Sequence, residues 1–170
     1  MERNFRVAHP QPALLVATQP RPRISFSGAS NDTYYAFKNR APYPVKYNGK
    51  IYPTSEHLFQ AFKYMGHRTD LAERIRTVST SSTTAFDLSM TLLEHQNPDW
   101  DILKIPKMEI VVCHKFSQHE KLKQLLLGTG DAELVNGSRD NFWGAGKTGT
   151  GRNEFGKLLE RLRKTFREAK

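Results

Sequence analysis

The sequence predicts a helix-dominated α+β fold: a single domain carrying a small β-sheet. Three observations carry this. Apolar residues recur at helical spacing through most of the chain after residue 55. Strand-like stretches are few and only three to five residues long. The chain is 170 residues long, and domains usually run to about 100–150, so a second folded unit has no room.

The elements follow in order. Arg23–Ser27 alternates like a short strand. Val45-Lys46-Tyr47 and Lys50-Ile51-Tyr52 flank Asn48-Gly49, the pair that supplies two positive φ angles for a type I′ hairpin turn. Thr54 or Ser55 can cap a helix over 56–65. Shorter helices are expected over 70–77 and 82–94. Pro98-Asp99 opens another, which Pro106 should restart, because proline fits a first helical turn but not an interior. Residues 107–116 and 118–127 read as helix, with Leu122, Leu125 and Leu126 on one face, and Gly128-Thr129-Gly130 stops the second. Glu133-Leu134-Val135 is a last short strand, and 144–151 is a loop. The final helix, about 152–167, spaces Phe155, Leu158, Leu159, Leu162 and Phe166 along one buried face.

The formal net charge is +9, and it is unevenly placed. Residues 1–23 contribute +3, residues 152–170 contribute +4, and the middle only +2. Four of the nine prolines (Pro10, Pro12, Pro20, Pro22) fall in residues 1–23, which read as a disordered basic arm ahead of a domain spanning 24–170. The same prolines interrupt the long amphipathic helix that a mitochondrial presequence needs. No apolar run approaches the 18 or so residues of a membrane span, so no membrane partner is expected and the location is intracellular, cytoplasmic or nuclear. One cysteine, Cys113, excludes an intramolecular disulfide and a Cys-based zinc site. It sits after Ile110-Val111-Val112 and reads as core. The six histidines show no ligand spacing, so no metal is expected.

The 56–65 helix carries the chemistry. At 100° per residue Glu56, Gln60 and Lys63 fall at about 0°, 40° and −20°, a single polar stripe. A solvated face is the ordinary explanation of such a stripe. Here Leu58, Phe59, Ala61, Phe62 and Met65 make the rest of the helix buryable. The stripe holds a carboxylate and an amine within two turns, a general-base and nucleophile pairing if a cleft covers it. His57 lies about 100° round, at the edge of the core or of the site.

Gly146-Lys147-Thr148 imitates the end of a P-loop, but the required earlier glycine falls at Asn141. Residues 144–149 match GxGxxG without the preceding strand or the later ribose-binding acid of a Rossmann unit. What remains is glycine-rich backbone running into a helix start, a phosphate or pyrophosphate cradle or a plain surface turn. Trp100 and Trp143 are core residues or stacking surfaces for a base. Asp140 is an acid or base, or a turn cap.

Read together, these segments resemble the NADAR family from about Ile24 to Arg163. The resemblance rests on Tyr52-Pro53-Thr54-Ser55-Glu56-His57 running on to Gln60-Ala61-Phe62-Lys63-Tyr64, then Pro98-Asp99-Trp100 and Lys115-Phe116-Ser117-Gln118. It continues through Leu125 to Gly130, Asp140-Asn141-Phe142-Trp143-Gly144 and Gly149-Thr150-Gly151-Arg152-Asn153-Glu154-Phe155-Gly156. One departure is Arg40, where the family usually has an aromatic residue after Asn39.

The resemblance implies the family's fold and an N-glycosidase that releases an amino-heterocycle from ribose C1′, with no cofactor. It places catalytic roles on Glu56, Lys63 and Asp140. Substrate-binding roles fall on Asn39, His57, Gln60, Trp100, Trp143, Gly144, Gly149, Gly151 and Asn153. The leading expectation is removal of ADP-ribose from guanine in nucleic acid, because the glycine loop, the indoles and the basic ends suit a nucleotide diphosphate on a polyanion. The alternative substrate is a ribosylamino-pyrimidine phosphate of riboflavin synthesis. A non-catalytic ADP-ribose-binding module needs the cradle but not the Glu56–Lys63 pair.

Overall fold

The computed structural model describes residues 19–28 and 32–169, so most of the expected basic arm lies outside the described residues. In chain order the elements are β1 (Arg23–Ser25), β2 (Val45–Tyr47), β3 (Lys50–Tyr52), α1 (Ser55–Phe62), α2 (Thr69–Thr77), α3 (Ser82–Met90), α4 (Trp100–Gln118), α5 (Glu120–Gly128), β4 (Glu133–Val135) and α6 (Glu154–Glu168). Short 3-10 turns lie at Tyr35–Phe37 and Leu93–His95. The α+β class and helix dominance hold. None of these helices is long and apolar enough to cross a membrane.

The strands form two separate pairs instead of one sheet. β2 and β3 are antiparallel, with Val45 opposite Tyr52, and the turn between them has Asn48 and Gly49 both at positive φ. Gln118 of α4 closes the free edge of this hairpin, accepting from the Lys46 N–H and donating to its carbonyl. β1 and β4 pair in parallel, Ile24 opposite Leu134. This second pair corrects the expected arm boundary. Arg23 belongs to β1, the Pro22 carbonyl accepts from Glu133 N–H at 2.7 Å, and Arg21 reaches Glu160 at 3.0 Å.

All eight residues of α1 are buried, which an isolated eight-residue helix needs because its own hydrogen bonds do not sustain it. Thr54 caps it by accepting from His57 N–H, and α2, α3 and α4 pack around it. The helix ends at Phe62, three residues early, with Lys63 at its C-cap. α3 likewise ends at Met90, before the 3-10 turn.

Pro106 does not restart a helix: α4 runs through it unbroken. The hydrogen bond that proline removes would end on the Ile102 carbonyl, and Ile102 is 77% exposed, so water can take that carbonyl. Burial of Met108, Val111, Val112 and Phe116 on the opposite face holds the helix together. The same phase turns Cys113 outward, so it is exposed and not core. α6 packs against β4, α4 and α5, burying Phe155, Leu158, Leu159 and Leu162, with Phe166 half-buried. At Gly156 a Cβ would run into the Leu134 carbonyl, so the helix meets the strand only because glycine stands there.

Candidate active site

One cavity of about 490 Å³ opens beside α1, lined by sixteen residues from α1, α3, α4, α6, the 38–40 turn and the 136–143 segment. The stripe foreseen on α1 faces it. Glu56, Gln60 and Lys63 are 7%, 3% and 7% exposed, so this is no solvated face.

Both oxygens of Glu56 are held. Oε2 accepts from Asn39 Nδ2 at 2.8 Å and Oε1 from Gln60 Nε2 at 2.6 Å. Gln60 Oε1 accepts from Ser89 Oγ at 2.7 Å, which ties the stripe to α3. Asn39 Oδ1 is buried without a partner. A buried amide oxygen left unpaired is costly, and a ligand donor would relieve it.

The Lys63 ammonium makes no hydrogen bond or ion pair among the described residues, and Nζ lies 5.9 Å from the centroid of the Trp100 ring. Burial pushes its ammonium below the ordinary lysine value, and the Glu56 charge partly opposes this. A carboxylate and an amine thus face one cavity without neutralising each other in contact. That arrangement can move a proton at one group and form a bond to carbon at the other.

Aromatic rings build the wall. Phe59 lies between Trp100, at 5.2 Å between ring centroids, and Trp143, at 5.5 Å. Asp140 Oδ1 accepts from the N–H groups of Phe142 and Trp143 at 2.8 and 2.6 Å. Its carboxylate therefore also fixes where the Trp143 indole sits, the turn-cap role.

The structure brings together Asn39, Glu56, Gln60, Lys63, Trp100, Asp140 and Trp143 around the cavity and leaves the other five expected residues away from its lining. His57 is fully buried on another side of α1. Its Nε2–H donates to the Ser79 carbonyl at 2.9 Å, and Nδ1 accepts from Thr54 Oγ1 at 2.8 Å. Burial lowers its pKa, and with both ring nitrogens engaged inside the protein it sits in the core, away from the cavity lining. Asn153 takes a left-handed conformation and bridges Leu134 O and Asn136 N, holding the β4 end to α6.

The glycines expected to cradle a phosphate, Gly144, Gly149 and Gly151, lie outside the cavity lining, and their own N–H groups are taken. The N–H groups of Gly144, Ala145, Gly146, Gly149 and Gly151 all bond to backbone carbonyls, and so do those of Arg152 through Phe155 at the start of α6. A cradle needs free donors aimed at one point, and these glycines have none to offer.

Among the lining residues that sequence reasoning missed are Phe86, Lys104, Met108, Asn136, Ser138 and Phe155. A signal existed for two of them. Trp100, Lys104 and Met108 stand at i, i+4 and i+8, one face of a helix. Asn136 and Ser138 follow a strand end, and nothing local distinguishes them.

The NADAR domain family profile matches residues 18–167. N-glycosidase YbiA of Escherichia coli (strain K12) is 39% identical over 141 residues, covering 82% of this chain and 86% of that protein. A riboflavin biosynthesis protein of Vibrio vulnificus (strain YJ016) is 37% identical over 131 residues, which is 76% of this chain but 35% of that longer protein. The NMR structure of the E. coli protein YbiA superposes with a TM-score of 0.79 at 33% identity, covering 89% of each chain. With the profile spanning nearly every described element and the structural match covering nine-tenths of the molecule, the chain belongs to the NADAR domain family.

Proposed function

We propose that this N-glycosidase cleaves the bond between C1′ of a phosphorylated ribose and the exocyclic amino nitrogen of a heterocycle, with a ribosylamino-pyrimidine phosphate as substrate. The observation that carries it is the buried Glu56–Lys63 pair on one helix face, turned into an aromatic-walled cavity. The name of the Vibrio relative supports the pyrimidine choice.

In such a substrate the nitrogen lone pair expels the ring oxygen, opening the sugar to an imine at C1′. Lys63, whose charged form burial disfavours, adds to C1′ as the free amine. Glu56 relays the proton lost by Lys63 to the departing amine, and the C1′–N bond to the base breaks. Water then adds to the Lys63 Schiff base, releasing the ribose phosphate as its aldehyde and restoring the lysine. Trp100 and Trp143 supply faces for the base, and Asn39 and Gln60 hold the Glu56 carboxylate. Asp140 positions Trp143.

ADP-ribosyl-guanine in nucleic acid is the second reading. Lys38, Arg40 and Lys104 on the cavity wall favour a polyanion, whereas the spent N–H groups of Gly144, Gly149 and Gly151 give its pyrophosphate no support. Offering both substrates side by side and measuring the released base by chromatography decides between them. Release of the pyrimidine alone supports the first reading, and release of guanine alone reverses the order. Release from neither, with ADP-ribose still bound, leaves a binding module.

A further inference from the structure

A phosphorylated ribose needs a cationic receiver, and the glycine loop supplies none from the donors it has spent. Four cations line the cavity: Lys38, Arg40, Lys63 and Lys104. Three of them have other work. Lys38 Nζ donates to the carbonyls of Ser27 and Gly28 at 3.0 and 2.8 Å. Lys104 Nζ pairs with Asp101 at 2.8 Å and rests 4.3 Å from the centroid of the Phe142 ring. Lys63 stands at the reaction centre.

Arg40 is different. Its guanidinium makes no hydrogen bond or ion pair among the described residues, and its central carbon lies 4.8 Å from the centroid of the Phe86 ring. A ring face beneath a guanidinium fixes its plane and leaves the N–H edge free. That edge is a planar fork matched to two oxygens of a phosphoryl group. Arg40 also directly follows Asn39, whose amide holds Glu56, and Arg40 and Glu56 line the same cavity, one for each end of a phosphorylated ribose.

We propose that Arg40, stacked on Phe86, is the anchor for the 5′-phosphoryl group of the sugar. It deepens the ribosyl phosphate reading and rests on it for the substrate, but not for the binding chemistry. Neither the stripe nor the glycine loop pointed to this residue; what singles it out is that its donors are unspent.

NMR titration of the full chain with ribose 5-phosphate, ADP-ribose and ribose tests it. Both phosphorylated ligands carry the 5′-phosphoryl group, and ribose does not. Loss of a charge-assisted bidentate contact, about 1.5–3 kcal/mol, should weaken ribose 5-phosphate by roughly 10- to 150-fold in Arg40→Ala. The preference for ribose 5-phosphate over ribose should collapse accordingly. Arg40→Lys, with the charge but without the fork, should recover part of it, and Phe86→Leu should lose part of it. A preference unchanged in Arg40→Ala, or an equal loss for ribose and ribose 5-phosphate, overturns the anchor. Binding of ribose 5-phosphate through Arg40 without turnover of the pyrimidine substrate keeps the anchor and removes the substrate reading instead.

Discussion

Asn39 and Glu56 are joined twice: the Asn39 amide donates to Glu56 Oε2 at 2.8 Å, and the Glu56 backbone N–H donates to the Asn39 carbonyl at 3.0 Å. The carboxylate is therefore fixed in both position and rotation before any ligand arrives. Pre-set geometry of this kind is what proton transfer requires.

Glu56→Gln should lower kcat by more than about 10²-fold while the melting temperature stays near that of the parent. Steady-state kinetics beside a thermal melt checks this. Near-normal turnover would remove Glu56 from the chemistry. Asn39→Ala, which frees the carboxylate but leaves it present, should lose less than Glu56→Gln.

Borohydride added during turnover should leave a sugar-derived mass on Lys63, located by peptide mass spectrometry, and Lys63→Arg should show none. Turnover with no trapped adduct favours direct attack of water on an oxocarbenium-like C1′. Burial lowers the Lys63 pKa and the Glu56 charge raises it. Reductive methylation should therefore modify Lys63 at lower pH than surface lysines, and at still lower pH in Glu56→Gln.

Lys115 is fully buried, donating to the carbonyls of Ala36 and Lys38 at 2.6 and 2.7 Å, and burial lowers its pKa from 10.5 to about 7. Between these two values the unfolded chain binds more protons than the folded one, so this lysine makes stability rise with pH from about 7 toward 10.5. One linked proton contributes at most about 1.4 kcal/mol per pH unit. Urea unfolding at pH 7, 8 and 9 should show that slope in the parent and a flatter one in Lys115→Met.

Gly156→Ala sets two effects against each other. Alanine gains up to about 1 kcal/mol of helix propensity, whereas forcing a methyl against the Leu134 carbonyl costs about 1–3 kcal/mol. The melting temperature should fall. A rise would mean that α6 and β4 can part without penalty.

Replacing Lys147 and Thr148 together by Ala should leave ADP-ribose affinity within about twofold, measured by titration calorimetry. A glycine loop whose neighbouring N–H groups are taken has little left to lose. A tenfold loss would place the Lys147 and Thr148 side chains on the bound phosphates.

Much of this was legible in the residues. The hairpin turn, the α1 cap and the polar stripe follow local rules of angle and spacing, and each stands where those rules put it. What escaped was set by distant partners. Pro106 stays inside α4 because its other face is packed, and Cys113 turns outward for the same helical phase. His57 was ambiguous on the wheel and is settled only by the Ser79 carbonyl, which arrives from the stretch between α2 and α3. The glycine loop stays open between cradle and turn in the sequence because glycines record where backbone can bend, not whether its donors are already taken.

The parallel pair of β1 with β4 joins segments more than a hundred positions apart along the chain. α1, with its glutamate and lysine, leaves the ribosome early, but Asp140 and Trp143 are still to be made. Until β4 emerges and pairs with β1, the Lys63 amine lacks the wall that Asp140 and Trp143 supply. A growing chain therefore carries the proposed nucleophile without its full enclosure, which arrives late, with the pairing of β1 and β4.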